Sequence, residues 1–216
     1  MLKGAIFDHD GLMFDTEKIW QKNWKELADE RGIVLPEEFT HDICGTSGAL
    51  MNSVIEKYYG VEDGAPIAAE CVRRVHEDEA KHIDEKPGLK TILEMFRKNG
   101  VIMAVASSSP EAMIRRNLAN GGVEEYFDAV VSGQSVEHGK PAPDIFLKAA
   151  EMIHLKPEEC YVFEDAFNGV RAGAAAGCRT IMIPDITAPD DEMRQLAADI
   201  CTTLAEASGK IEKGSL

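Results

Sequence analysis

The feature that most constrains this 216-residue sequence is a set of short apolar runs that alternate with helical patterns. Each run is bounded by glycine, proline or polar residues, which is typical of strands buried on both faces of a sheet. The runs occupy residues 5–7, 101–106, 129–131, 160–163 and 180–183. Because strand–helix alternation produces parallel βαβ units, the pattern predicts an α/β fold with a doubly wound, Rossmann-like parallel sheet.

A stretch without any strand pattern separates the first apolar run from the second. Apolar residues recur at helical spacing through it, and Trp20 and Trp24 lie on one face of its first helix. The next predicted helices span residues 37–43, 50–59 and 65–82. We therefore predict a small all-helical domain at residues 15–85, inserted into a core formed by residues 1–14 and 86–216.

One further helix is predicted near the C terminus. Apolar residues at helical spacing extend through residues 191–205, and the polar residues after them are expected to fray.

The charge and cysteine content of the chain exclude several classes of function. The formal net charge is −15, which argues against general binding to nucleic acids or anionic membranes, because both need a basic surface on the protein. The five cysteines are scattered, which argues against a zinc site or a disulfide framework and favours a reducing compartment. We expect no signal peptide before the first strand, and no apolar run of the sequence approaches the ~20 residues that cross a bilayer. We expect a cytoplasmic monomer without nucleic-acid or membrane partners.

Polar residues follow the predicted strands at the points where open α/β sheets bind their ligands. The carboxyl ends of parallel strands lie along one edge of the sheet, so these side chains are expected to meet in one crevice. They are Asp8, Asp10, Ser107, Lys140, Glu164 and Asp165. Chance placement is a poor explanation for four carboxylates, a hydroxyl and an ammonium group at these positions.

The carboxylates in this set predict a Mg²⁺ site. Mg²⁺ prefers a few carboxylates together with waters and substrate phosphate oxygens. Asp8 and Asp165 are candidate direct ligands, and Asp10 is a candidate through its backbone carbonyl. Glu164 is expected to hold a metal-bound water or to support the other ligands.

The same residues can transfer a phosphoryl group. Lys140 and Ser107 are expected to bind phosphate oxygens, and Asp8 to attack phosphorus and form an aspartyl-phosphate. Asp10 is spaced to protonate the leaving oxygen and later to activate water. His9 lies between the two aspartates, and strand alternation would turn it away from both, so we favour packing or a supporting contact over proton transfer.

Four motifs carry these residues in order along the chain. They are FDHDG at residues 7–11, ASSS at 106–109, GKPAPD at 139–144 and FEDAFNG at 163–169. In this order they resemble the haloacid dehalogenase superfamily of hydrolases, in the β-phosphoglucomutase-like subfamily with a helical cap. The resemblance implies Mg²⁺ as cofactor, a small phosphorylated metabolite as substrate, and the roles given above. Ser108, within the second motif, is predicted to bind phosphate with Ser107.

Residues of the helical insert help to distinguish two activities found within that subfamily, phosphate hydrolysis and phosphate transfer. The resembling β-phosphoglucomutases carry a histidine where this chain has Trp20, and a lysine and an arginine where it has Cys44 and Gly48. An arginine that clamps a second phosphate suits a mutase, so its absence favours a phosphatase of sugar or nucleoside phosphate monoesters. A β-phosphoglucomutase-type phosphosugar mutase is the alternative, and a catalytically silent metal-binding regulatory module is a further one. Substrate specificity is predicted at Trp20, Gly45, Thr46 and Ser47.

Overall fold

The computed structural model describes residues 1–44, 46 and 48–216. These residues form two compact units. The core unit consists of Met1–Asp15 and Asp84–Leu216, and the helical unit consists of Thr16–Ile83. No helix among the described residues is both long and apolar enough to span a membrane.

The core unit is built on a parallel sheet. In the described part of the chain the sheet has six strands, in the order β3-β2-β1-β4-β5-β6. The strands are β1 (Gly4–Phe7), β2 (Ile102–Ser107), β3 (Ala129–Ser132), β4 (Cys160–Glu164), β5 (Arg179–Met182) and β6 (Asp199–Ile200). Each neighbouring pair is parallel, which confirms the predicted doubly wound α/β fold.

Strand β1 lies at the centre of the sheet, between β2 and β4. Its residues are buried on both faces, which explains the unbroken apolar run in the sequence. On one face Phe7 stacks on Phe163, with ring centroids 4.8 Å apart. On the other face Ile6 packs in a cluster with Ala104 and Val162. This packing gives a rigid base for the polar residues that follow β1.

The helical unit has its own hydrophobic core. Its helices are α1 (Thr16–Asp29), α2 (Glu37–Ile43), α3 (Gly48–Tyr59) and α4 (Ala65–Lys81). Trp24 and Phe39 are buried in this core, and the hydroxyl of Tyr59 donates to the carbonyl oxygen of Trp24 at 2.7 Å. The described residues of this unit contain helices and no strand.

The core unit carries the remaining helices. They are α5 (Leu89–Lys98), α6 (Glu111–Asn120), α7 (Asp144–Met152), α8 (Phe167–Ala175), α9 (Asp191–Leu196) and α10 (Leu204–Glu212). A single helix over residues 191–205 is therefore a wrong prediction. The side chain of Asp190 caps α9 and the side chain of Thr203 caps α10, so two helices begin where one was expected. Strand β6 lies between them and pairs with β5.

Candidate active site

The candidate active site begins at the turn that follows β1. The backbone amide of Asp8 donates to the carbonyl oxygen of Phe163 at 3.0 Å, which keeps Asp8 beside β4. Gly11 then adopts a φ of +76°, and its amide donates to the carbonyl oxygen of Phe14 at 3.0 Å. A Cβ at Gly11 would overlap the carboxylate of Asp165. Glycine at this position therefore lets the turn lie directly against the end of β4.

Lys140 joins the ends of β1 and β4. Its Nζ donates to Asp8 Oδ1, to Glu164 Oε1 at 2.5 Å and to the carbonyl oxygen of Ala106 at 3.2 Å. The side chains of Lys140 and Asp8 are each 9% exposed, and that of Glu164 is 1% exposed. Charges removed from water to this extent persist only when each has good partners, so the three groups depend on one another.

The carboxylate of Glu164 is fixed on both of its oxygen atoms. Oε1 accepts from Lys140, and Oε2 accepts from the backbone amides of Asp165 at 3.0 Å and Ala166 at 3.1 Å. A Cβ at Gly169 in α8 would overlap this carboxylate, which explains a glycine at that point of the fourth motif. Glu164 is therefore a buried, oriented anion at the start of α8.

Three carboxylates can meet around a cation here. Asp8, Glu164 and Asp165 each offer an oxygen within 4.8 Å of the others. Burial, with the charges of Glu164 and Asp10, raises the pKa of Asp8 to about 7 against the opposing effect of Lys140. Burial, Glu164 and Asp8 also raise the pKa of Asp165 well above its usual range. These hard oxygen donors with an excess of negative charge fit a divalent cation such as Mg²⁺.

The carboxylate of Asp10 binds to the end of β2. Its Oδ2 accepts from Ser109 Oγ at 2.6 Å and from Ser107 Oγ at 3.2 Å, while its Oδ1 lies 3.1 Å from His9 Nδ1. Burial raises the pKa of Asp10, but the charge and hydrogen bond of His9, with the hydrogen bonds from Ser109 and Ser107, hold that pKa well below its usual range. The two aspartates of the first motif therefore have opposite electrostatic environments.

His9 does not turn away from the aspartates as strand alternation predicted. Strand β1 ends at Phe7, so the alternation of strand side chains does not extend to His9. The His9 side chain is fully buried and contacts Asp10. Packing is also present, because the His9 and Phe14 rings have centroids 5.3 Å apart.

The predicted specificity residues lie in the helical unit. Trp20 is partly buried and stacks on Trp24 with centroids 6.0 Å apart, and Thr46 Oγ1 donates to the carbonyl oxygen of Ile43 at 2.7 Å. Gly45 and Ser47 lie outside the described residues. The role of these four residues in specificity stays a prediction. In the core unit, Ser108 is exposed at the end of β2, beside the predicted phosphate ligand Ser107.

Sequence reasoning missed Asp185, which follows the end of β5. Asp185 Oδ1 forms an ion pair of 2.5 Å with Lys86 Nζ, which also lies 3.4 Å from Asp15 Oδ1. The signal was present, because Asp185 comes just after the predicted strand at residues 180–183. Sequence reasoning also assigned no role to Ser109, although it lies within the second motif.

The parallel sheet, with its charged residues at the carboxyl ends of the strands, defines an α/β enzyme. The chain belongs to the haloacid dehalogenase-like hydrolases, whose family model matches residues 5–183. It is 33% identical over 202 residues to hexitol phosphatase A of Escherichia coli (strain K12), and this aligned region covers 92% of this chain and 89% of that protein. It is also 33% identical over 175 residues to fructose-1-phosphate phosphatase YqaB of the same strain, over 81% of this chain and 92% of that protein.

A solved structure supports the same fold. The crystal structure of β-phosphoglucomutase from Clostridium difficile superposes with a TM-score of 0.78 at 21% identity, over 99% of this chain and 96% of that one. At this identity the likeness concerns the fold alone. The phosphatase relatives confirm the predicted enzyme class, a phosphoric monoester hydrolase.

Proposed function

We propose that this enzyme is a Mg²⁺-dependent phosphatase that hydrolyses small phosphate monoesters of sugars or nucleosides through an aspartyl-phosphate on Asp8. The observation that carries the proposal is the position of Asp8, whose carboxylate shares Lys140 with Glu164 and lies in one cluster with Asp165. The substrate class is supported by the relatives named above, which act on hexitol phosphates and fructose 1-phosphate.

In the first step, one carboxylate oxygen of Asp8 forms a bond to phosphorus, and the bond from phosphorus to the leaving oxygen breaks. Lys140 opposes the rise that burial causes in the pKa of Asp8, and it attracts the phosphoryl oxygens. Ser107 and Ser108 are the proposed partners of the same group. Asp10 takes up a proton as the dianionic phosphoryl group binds beside it, because that charge raises the pKa of Asp10, and it then gives this proton to the leaving oxygen.

In the second step, water attacks the phosphorus of the aspartyl-phosphate. Asp10 takes a proton from that water, inorganic phosphate leaves, and the carboxylate of Asp8 is restored. The low pKa of Asp10 in the free enzyme makes its ionised form the resting form, which is the form that accepts this proton.

The residues proposed to hold Mg²⁺ are Asp8, Asp165 and the backbone carbonyl of Asp10, with Glu164 in support. Bound there, Mg²⁺ supplies positive charge that stabilises the phosphoryl oxygens during transfer. Lys140 and the backbone amides that fix Glu164 keep the donor set oriented.

The helical unit is proposed to act as a cap domain that selects the substrate, with the boundaries predicted at residues 15–85. Its uncharged Cys44 and Gly48 favour hydrolysis over transfer between two hydroxyls of a sugar, because a mutase has to grip a second phosphate. Cytoplasmic location and a monomeric state stay predictions.

Phosphate release from a panel of sugar and nucleoside phosphates, with and without Mg²⁺, tests this function. We expect release that EDTA abolishes and that Asp8→Asn reduces by at least about 10³-fold, because the nucleophile is lost. Hydrolysis that survives in Asp8→Asn would contradict the aspartyl-phosphate. Incubation with β-glucose 1-phosphate and a catalytic bisphosphate distinguishes the alternative, since a mutase yields glucose 6-phosphate without net phosphate release.

A further inference from the structure

His9 occupies an unusual position between the two aspartates of the first motif. Its side chain is fully buried although it is a titratable residue, and its ring packs on Phe14 with centroids 5.3 Å apart. The carbonyl oxygen of His9 accepts from the amide of Met13 at 3.1 Å, so the backbone at this point is fixed within the turn. A buried imidazole with a fixed backbone has little freedom to leave its contacts.

The contact that matters is the one to Asp10. His9 Nδ1 lies 3.1 Å from Asp10 Oδ1, while Asp10 Oδ2 accepts from Ser109 and Ser107. The serine loop is itself anchored, because Ser132 Oγ donates to the carbonyl oxygen of Ser109 at 2.6 Å. The Oδ2 atom therefore accepts two hydrogen bonds from an anchored loop, and Oδ1 has a close polar contact with the imidazole of His9.

Loss of the His9 contact would leave the Asp10 carboxylate anchored through Oδ2 alone. Rotation about the Cβ–Cγ bond would then be opposed by the two serine hydrogen bonds alone, so the positions of the carboxylate oxygens would be less narrowly defined. Proton transfer needs a separation of about 2.6–3.2 Å from the leaving oxygen, and a displacement near 1 Å can cost about 100-fold in rate.

We infer that His9 is a positioning residue, which orients the Asp10 carboxylate for proton transfer to the leaving group without touching the substrate. The inference rests on the proposed function, in which Asp10 is the general acid. The role of His9 predicts different effects on two kinds of substrate. An alkyl phosphate needs the proton from Asp10 because an alkoxide is a poor leaving group, whereas an aryl phosphate with an acidic phenol needs that proton far less.

The leaving group therefore provides the test. Leucine and asparagine side chains have the same number of non-hydrogen atoms and both branch at Cγ, but only asparagine places a nitrogen donor near the position of Nδ1. The value of kcat/KM is measured for p-nitrophenyl phosphate and for the alkyl phosphate that the parent enzyme hydrolyses fastest. We expect His9→Leu to lose about tenfold or more on the alkyl ester and less than about threefold on the aryl ester, while His9→Asn retains most of both.

Three further measurements separate positioning from structure. His9→Phe keeps a ring against Phe14 and lacks the donor, so it replaces the leucine variant if that variant does not fold. The Mg²⁺ dissociation constant from calorimetry is expected to stay within about twofold in each variant, because the contact is to the Asp10 carboxylate. Asp10→Asn is expected to give the same selectivity for the leaving group with a larger loss.

The outcomes distinguish the two proposals. A parent enzyme that hydrolyses neither ester refutes the proposed function. An active parent in which the donor-free variant loses the same factor on both esters, or in which His9→Asn is no better than His9→Leu, overturns the role of His9 alone. An approximately equal loss on both esters is what a packing role predicts.

Discussion

Gly169 provides the sharpest structural prediction, because a single methyl group there meets the carboxylate of Glu164. Gly169 lies in α8 with an ordinary helical backbone, so Gly169→Ala carries no backbone strain and gains about 1 kcal/mol of helix propensity. The Cβ would overlap Glu164, whose oxygens are fixed by Lys140, Asp165 and Ala166. The alanine therefore has to displace an anchored, buried anion.

The expected cost follows from those contacts. Overpacking costs about 1–3 kcal/mol, and each lost hydrogen bond to a charged group costs about 1.5–3 kcal/mol. With one such bond lost, and the gain in propensity subtracted, Gly169→Ala should lower the free energy of unfolding by about 1.5–5 kcal/mol. Urea unfolding followed by circular dichroism measures this quantity.

Gly209 is the matched control. It also lies within a helix, α10, but a Cβ there meets nothing within 4 Å. Gly209→Ala should therefore stabilise the protein by about 0.5–1 kcal/mol. A double-mutant cycle adds Glu164→Asp, whose shorter side chain relieves the overlap, so that Gly169→Ala should cost about 1 kcal/mol less in that background. Equal effects of Gly169→Ala and Gly209→Ala, with no coupling to residue 164, would refute the steric reasoning.

Two other substitutions test neighbouring parts of the site. Lys140→Met leaves two buried carboxylates without their shared cation, so the free energy of unfolding should fall by about 3–5 kcal/mol and phosphate release should be lost. Lys148 is half-buried and its Nζ makes only a surface hydrogen bond, so Lys148→Met should change that free energy by less than about 1 kcal/mol. Equal melting curves for the two variants would contradict the buried ion pair. Gly11→Ala combines a φ of +76° with overlap of the Asp165 carboxylate, whereas Gly32→Ala has a φ of +68° and open space. Thermal unfolding should therefore show a larger loss for Gly11→Ala, and a difference below ~0.5 kcal/mol would count against the close approach.

The sequence was sufficient to predict the sheet, because most residues of the central strands are buried on both faces. Runs such as residues 101–106 and 160–163 have no polar interruption, and that signal survives without any knowledge of the partner strands. Strand β6 gave no such signal, since Asp199–Ile200 has two half-buried residues and joins the sheet through its backbone. A pattern of side chains cannot reveal pairing of that kind, so the tail was predicted as one helix.

The residues of the candidate site also differ in how well the sequence alone predicts their contacts. Asp8, Lys140 and Glu164 were predictable because each follows or ends a strand at the same edge of the sheet, and the sheet alone brings them together. The contacts of Ser109 and His9 depend on how the chain turns after the strand has ended. Residue periodicity stops with the strand, so the sequence had no means to orient these two side chains.

The same reasoning explains why two aspartates one residue apart have opposite electrostatic environments. Asp8 faces Lys140 within a cluster of like charges, and burial raises its pKa to about 7. Asp10 is also buried, but the histidine that separates it from Asp8 and the serines after β2 stabilise its charge. An added cation would therefore favour the ionised form of Asp8, whereas the protein's own contacts favour the ionised form of Asp10. The proposed roles, with Asp8 as nucleophile and Asp10 as proton carrier, agree with that difference in surroundings.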